Sequence, residues 1–210
     1  MLFFHCPHIV LSGANPLNSR RALRSEMRAR RRAVCEPERV RMAGALARHL
    51  RASLRVRHTR RVACYLSNDG EMRLGPVMEF LRANGRQVLL PALHGDGLWF
   101  LPYDHGTRLA PNRFGIPEPA VTGRARCRAR DLDLVLMPLV AFDNTGNRLG
   151  MGGGFYDRTF SYLRHREFWT KPLLIGIAYE FQCLESLPSC PWDVPLHGVA
   201  TEERLYRFDA

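Results

Sequence analysis

Apolar residues set the first rhythm along the chain. Leu23, Met27 and Val34 recur at i, i+4 and i+11 behind Ser19, a pattern that predicts a helix capped near Ser19 with one narrow apolar stripe. Pro37 falls where a second helix would have its first turn, and Val40, Ala43, Ala47, Leu50 and Leu54 continue at helical spacing. The pattern then alternates. RVACYL (61–66) reads as a buried strand, LGPVMEFLRANG (74–85) as a helix closed by Gly85, and QVLLP (87–91) as another strand. Short apolar runs at 98–102, 132–139 and 173–178 read as further strands, with a helix expected over 155–164. Strands alternating with helices predict an α/β fold: a single domain with a mostly parallel central sheet flanked by helices, and two basic N-terminal helices. Ligands in such sheets bind in the loops beyond the carboxyl ends of the strands.

Length and composition agree with one such domain. At 210 residues, with 46% hydrophobic and 24% charged residues, the chain is neither disordered nor collagen-like nor a small disulfide scaffold. Residues 19–210 are expected to form the domain and residues 1–18 a mobile extension. The opening MLFFHCPHIVLSG is apolar but lacks a cationic n-region and is shorter than the roughly 20 residues of a membrane span. Six cysteines without any C-x-x-C pair, behind no secretory signal, read as reduced thiols in a cytoplasmic protein. The eight histidines show no H-E-x-x-H spacing, so a zinc site is not indicated. No G-x-S-x-G elbow is present either.

Charge changes the picture more. A net charge of +11 raises nucleic acid as a partner, but residues 20–61 alone hold 15 arginines against three acids. The excess is confined to that N-terminal segment. Lys171 is the chain's single lysine, so the preference for arginine also fits a compositional bias.

The strongest candidate for chemistry is Asp143-Asn-Thr-Gly-Asn-Arg-Leu-Gly-Met-Gly-Gly-Gly-Phe-Tyr-Asp157, after one predicted strand and before a predicted helix. Glycines at 150, 152, 153 and 154 permit positive φ and close backbone approach, so that successive N–H groups can point at an anion, aided by the start of the following helix. Arg148 can offer a donor fork to phosphate, Asp157 can hold Mg²⁺ against phosphate oxygens, and Phe155 and Tyr156 add an aromatic surface. The loop matches neither a Walker A sequence nor the dinucleotide G-x-G-x-x-G. A tight packing turn is the alternative reading.

Three further groups stand out. Glu71, in the loop Asn68-Asp-Gly-Glu71 after the strand at 61–66, can accept from a donor edge or act as a base; alternatively Asp69 and Gly70 make a turn and Glu71 caps the helix beginning near Leu74. Arg20, Arg24, Arg28 and Arg31 fall along one side of the first helix, as a polyanion grip or as a solvated face. Trp192-Asp193 could form a stacking platform beside a carboxylate for a metal or substrate, or a turn with a buried Trp.

In this order the pieces resemble the 5-formyltetrahydrofolate cyclo-ligase family, also called methenyltetrahydrofolate synthetase. The resemblance covers about residues 19–206: Ala22-Leu23-Arg24, the strand-then-glutamate element ending in Glu71, Phe114-Gly-Ile-Pro-Glu-Pro119, DLVLMPLVAFDNTGNRLGMGGGFYDR, IGIAYEFQ and WDVPL. It implies an ATP- and Mg²⁺-dependent conversion of 5-formyltetrahydrofolate to 5,10-methenyltetrahydrofolate, through phosphorylation of the formyl oxygen and closure by N10. By matching position it places Arg20, Arg24 and residues 148–156 (Arg148, Leu149, Gly150, Met151, Gly152, Gly153, Gly154, Phe155, Tyr156) at ATP. Leu66, Glu71, Tyr156 and Trp192 would meet the folate, Arg148 and Tyr156 would act in catalysis, and Asp157 would hold the metal. The implied partners are ATP and a reduced folate, with no nucleic acid or membrane, in a monomer.

The chain departs from the family pattern at three places. Arg20 stands where a lysine is usual, Met151 and Gly153 stand where some members carry basic residues, and His197 takes a position that is acidic in some relatives, which leaves Asp193 or His197 as a second metal ligand open. The competing readings are an arginine-rich nucleic-acid-binding module and a sugar-phosphate isomerase-like enzyme using Glu71 or Asp157 as base.

Overall fold

The computed structural model describes residues 16–53, 59–120, 126–164 and 171–208. Helix α1 (Pro16–Ala33) begins three residues before the expected cap, so Ser19 lies inside the helix and is buried. Leu23 and Met27 pack against Val140, Ala141, Leu149, Leu184 and Leu187. The third inward position is not Val34, which follows the helix, but Arg31, only 1% exposed. Helix α2 (Glu36–Ala52) carries Pro37 in its first turn, where a missing N–H removes no helical bond. Its Ala43, Leu46, Ala47 and Leu50 face the core, whereas Val40 is 60% exposed and outside the stripe. Leu54 lies outside the described residues.

Strand β1 (Arg61–Ala63) is shorter than the apolar run at 61–66. After one further bond, from Cys64 N–H to the Leu89 carbonyl at 2.8 Å, the chain leaves the ladder, so that Tyr65 and Leu66 become part of a cavity wall. Helix α3 (Gly75–Ala83) and strands β2 (Gln87–His94) and β3 (Gly97–Pro102) follow. The remaining strands are β4 (Leu109–Pro111), β5 (Pro117–Pro119), β6 (Leu134–Pro138), β7 (Ala141–Asp143), β8 (Arg148–Leu149), β9 (Leu173–Ile177), β10 (Cys183–Leu184), β11 (Gly198–Ala200) and β12 (Leu205–Arg207). The expected helix at 155–164 divides into α4 (Phe155–Thr159) and a 3₁₀ turn, Ser161–Arg164.

Among the described residues the main sheet has the order β12-β11-β9-β6-β1-β2-β3. Its five inner strands are parallel and its two edge strands, β3 and β12, antiparallel. The mostly parallel sheet flanked by helices agrees with expectation. Side chains alternate between its faces, as period two requires. Val62, Cys64, Val88, Leu90, Leu134 and Leu136 join α2 and α3 in one cluster. Ala63, Leu89, Val135, Met137 and Leu174 meet Phe100, Phe142, Phe160 and Val194 in the other. Each fully buried Leu or Phe contributes about 1.5–3 kcal/mol, so either layer could hold the sheet in place. Among the described residues no helix is long and apolar enough to cross a membrane.

The connections position the site. From β1 the chain winds one way to β2 and β3, then returns to β6 on the other side of β1 and winds outward to β9 and β11. The strand order therefore reverses between β1 and β6, where diverging loops leave a crevice.

Candidate active site

A cavity of about 1060 Å³ opens at this reversal point, with Leu66 beyond β1 and Pro138 at the end of β6 among its lining residues. The segment from Asp143 to Asp157 contributes one wall in two parts. The first part is scaffold. The buried Asp143 carboxylate accepts from Thr145 N–H (2.9 Å), Asn147 N–H (3.1 Å), Thr145 Oγ1 (2.7 Å), Asn147 Nδ2 (3.0 Å) and Leu187 N–H (2.9 Å), which closes the β7–β8 turn. Leu149 is likewise buried in the core, so its side chain does not reach a ligand.

The second part, Gly150 to Gly154, faces the cavity. Positive φ occurs at Gly152 (103°) and Gly154 (67°), whereas Gly150 and Gly153 do not need it. A side chain on Gly152 would meet the Arg24 guanidinium, 3.6 Å from an ideal Cβ. Helix α4 follows at once, but with five residues its dipole is small. Arg158 steadies the loop from behind through Gly153 O (2.7 Å) and Asp96 O (2.6 Å).

The arginine row of α1 is not a solvated face. Arg20 pairs with Asp193 at 3.1 Å and donates to Cys190 Sγ at 2.6 Å. Arg24 donates to the Gly150 carbonyl at 2.8 Å, Arg28 reaches Asp69 at 2.6 Å, and Arg31 reaches Asp69 at 2.9 Å and the Leu139 carbonyl at 3.2 Å. Burial and the adjacent Arg20 charge lower the Arg24 guanidinium, against the opposing pull of Asp193. Two cations crowded around one carboxylate favour a polyanion.

Arg148 is engaged on both sides: one Nη donates to the Val194 carbonyl and the other to Asp157 Oδ1 at 2.5 Å. Asp157 Oδ1 also accepts Val194 N–H at 3.2 Å. Glu71 is 12% exposed; its Oε2 accepts Asn68 N–H at 3.1 Å, and its Oε1 stands 3.8 Å from Arg31. It therefore does not cap α3, whose N-cap Leu74 has no side-chain cap. The turn at Asp69 and Gly70 is present, with φ of 48° and 75°. Burial pushes the Glu71 carboxyl upward, and the Asn68 amide and Arg31 oppose it. Tyr156 lines the same cavity, its hydroxyl raised by burial and by the charges of Glu71 and Cys64, so it is a phenol and a donor at neutral pH.

Trp192 stands 61% exposed on the rim, where a stacking platform is possible and a buried-Trp turn is not. His197 lies elsewhere, with Nδ1 accepting Leu174 N–H at 2.9 Å beside a separate small void. Of the two residues left open as a second metal ligand, Asp193 lines the cavity with Asp157 and His197 does not. No cluster of three or more His, Cys, Asp or Glu suited to a metal occurs among the described residues.

Two features escaped the sequence reading. Asp69, treated as a turn residue, binds Arg28, Arg31 and Arg32 together. Glu118, inside a quoted motif but without a role, lines the cavity. In both cases the signal was an acid beside a glycine or proline turn, which is also an ordinary loop composition.

The family model described as the 5-formyltetrahydrofolate cyclo-ligase family matches residues 16–202. A relative named 5-formyltetrahydrofolate cyclo-ligase from Escherichia coli (strain K12) is 38% identical over 185 residues, spanning 87% of this chain and 100% of the relative. The Haemophilus influenzae protein of the same name is 36% identical over 183 residues, spanning 86% and 96%. Among solved structures, Aquifex aeolicus 5,10-methenyltetrahydrofolate synthetase superposes with a TM-score of 0.77 at 30% identity, covering 91% of this chain and 93% of that one. The Mycoplasma pneumoniae synthetase, at 22% identity and a TM-score of 0.68 over 87% and 98%, supports the fold.

Proposed function

The chain belongs to the 5-formyltetrahydrofolate cyclo-ligase family, and from that premise we propose how its cleft divides the work of the reaction. The enzyme closes 5-formyltetrahydrofolate to 5,10-methenyltetrahydrofolate in an ATP-dependent step. The observation that carries the residue assignment is the meeting, in one cavity, of two α1 arginines, a glycine loop and the largely buried Glu71.

Arg20, Arg24 and the amides of 150–154 would hold the triphosphate, since phosphoryl transfer chiefly demands positioning and charge neutralisation. The formyl oxygen attacks the γ-phosphorus and ADP leaves; N10 then attacks the activated formyl carbon and gives up its proton to the departing phosphate or to water, and phosphate leaves as the ring closes. Tyr156, protonated and facing the cavity, would donate to an oxygen at the boundary between the substrates. Leu66 and Glu71 would contact the folate, with Trp192 stacking at the rim.

Asp157 would hold Mg²⁺. Its Oδ1 is engaged by Arg148 and Val194, but Oδ2 accepts no hydrogen bond from the described residues. A single carboxylate with phosphates and waters fits Mg²⁺, which supplies neutralisation of phosphate charge when bound. The inward commitment of the arginine row supports a compact anionic substrate over a nucleic acid lying along α1.

The test is direct. Purified protein given 5-formyltetrahydrofolate, ATP and Mg²⁺ should develop the methenyl absorbance, and not without ATP. No absorbance from this protein, beside an active relative assayed in parallel, overturns the reading.

A further inference from the structure

The motif Phe114-Gly-Ile-Pro-Glu-Pro119 forms part of the turn and the second strand of the β4–β5 hairpin, which packs on β2 and carries Glu118 to the cavity. Around Glu118 and its partner Asn112 the lining is largely apolar, with Leu90 and Leu93 of β2, Leu98 of β3 and Ile116 of the hairpin. The α1 arginines are committed elsewhere, to Asp193, Gly150 and Asp69.

Glu118 is held in a defined pose. Its Oε1 accepts Leu93 N–H at 3.0 Å and Asn112 Nδ2 at 2.6 Å. Asn112 is itself fixed, because its Oδ1 accepts Phe114 N–H at 2.8 Å and Ile116 N–H at 3.1 Å. Glu118 Oε2 accepts no hydrogen bond from the described residues. A preoriented carboxylate oxygen in a largely apolar cavity wall is suited to an N–H donor brought by a ligand.

We propose that Glu118 is a substrate-reading residue whose Oε2 accepts from the N–H donor edge of the reduced pteridine ring. This rests on the cyclo-ligase reading above. Adenine is the competing occupant, but its edge sets an acceptor nitrogen beside the single amine, and a carboxylate has no proton to offer that acceptor. The pteridine edge sets its 2-amino group beside a ring N–H, two adjacent donors that a carboxylate can accept without conflict. Glu118 is carried by a hairpin packed on β2, the neighbour of the strand that delivers Leu66 and Glu71.

Glu118→Gln preserves an acceptor at the Oε1 position and turns the other into a donor. It should raise KM for 5-formyltetrahydrofolate about tenfold or more, the loss of one charge-assisted bond, and leave KM for ATP within about twofold. The preference for the parent folate over its 2-desamino analogue should shrink toward parity in Glu118→Gln and persist in Glu71→Gln. Glu118→Asp, which keeps the charge but withdraws it by one methylene, reads the same ratio if Glu118→Gln does not fold. An unchanged ratio in either folded variant, or a rise in KM for ATP instead of for folate, overturns the proposal. Parent turnover is measured first: its absence removes the functional reading, whereas an active parent with normal Glu118 variants removes only this inference.

Discussion

Arg31 of α1 and Asp69 of the loop after β1 face each other at 2.9 Å, and that pair ties the first helix to the loop that carries Glu71. Arg28 and Arg32 close on the same carboxylate at 2.6 and 3.2 Å. The backbones touch as well, since a Cβ on Gly70 would lie 2.8 Å from the Arg31 carbonyl oxygen. Glu71 and Arg24 are thus placed relative to one another by a junction that need not touch either substrate.

Asp69→Asn should destabilise the protein by about 1–3 kcal/mol, because it removes the nearer of the two carboxylates beside the buried Arg31 and leaves only Glu71 at 3.8 Å. Burial pushes the Asp69 carboxyl up, but hydrogen bonds and charge from Arg28 and Arg31 outweigh it and hold it below the usual carboxylate range. A depressed acid stabilises the fold above its unfolded pKa and loses that contribution as pH falls. Urea unfolding of the parent should therefore weaken from about pH 4 downward, with a shallower dependence in Asp69→Asn. Equal pH profiles would show that the junction is not held by this charge.

Glu71→Ala should weaken folate binding about tenfold or more while ATP binding changes little, if the carboxylate meets the folate donors. Titration calorimetry with each substrate separates the two. Loss of ATP binding with folate binding intact would refute the assignment.

Gly152→Ala forces a side chain into a φ of 103° and toward the Arg24 guanidinium. A strain of about 1–3 kcal/mol at this point should appear as a several-fold rise in KM for ATP, with folate affinity nearly unchanged. Gly150→Ala is the contrast, because its φ is ordinary and no atom lies within 4 Å of an added Cβ. Matching kinetics for the two variants would mean that the loop's conformation does not matter to ATP.

Removing Mg²⁺ with a chelator should abolish turnover and leave folate binding in place, and readdition should restore activity. Asp157→Asn should demand a higher Mg²⁺ concentration for half-maximal rate. An unchanged requirement would place the ion elsewhere.

The parallel sheet and its longer strands were legible from periodicity, because a strand buried on both faces and a helix with an apolar stripe leave different spacings, whereas β11 and β12, of three residues each, are too short to leave one. The glycine loop and the basic first helix were legible as chemistry for the same local reason. Element ends were not: β1 stops at Ala63 because divergence at the reversal point pulls Tyr65 and Leu66 off the ladder, an event that depends on β6. Which arginines turn inward was equally hidden, since Arg20, Arg24, Arg28 and Arg31 are locally interchangeable until Asp193, Gly150 and Asp69 arrive from distant segments. The chain's own pattern determines the layers and the anion-seeking loop; only the tertiary fold decides which charges pair, because that depends on contacts between residues remote in sequence.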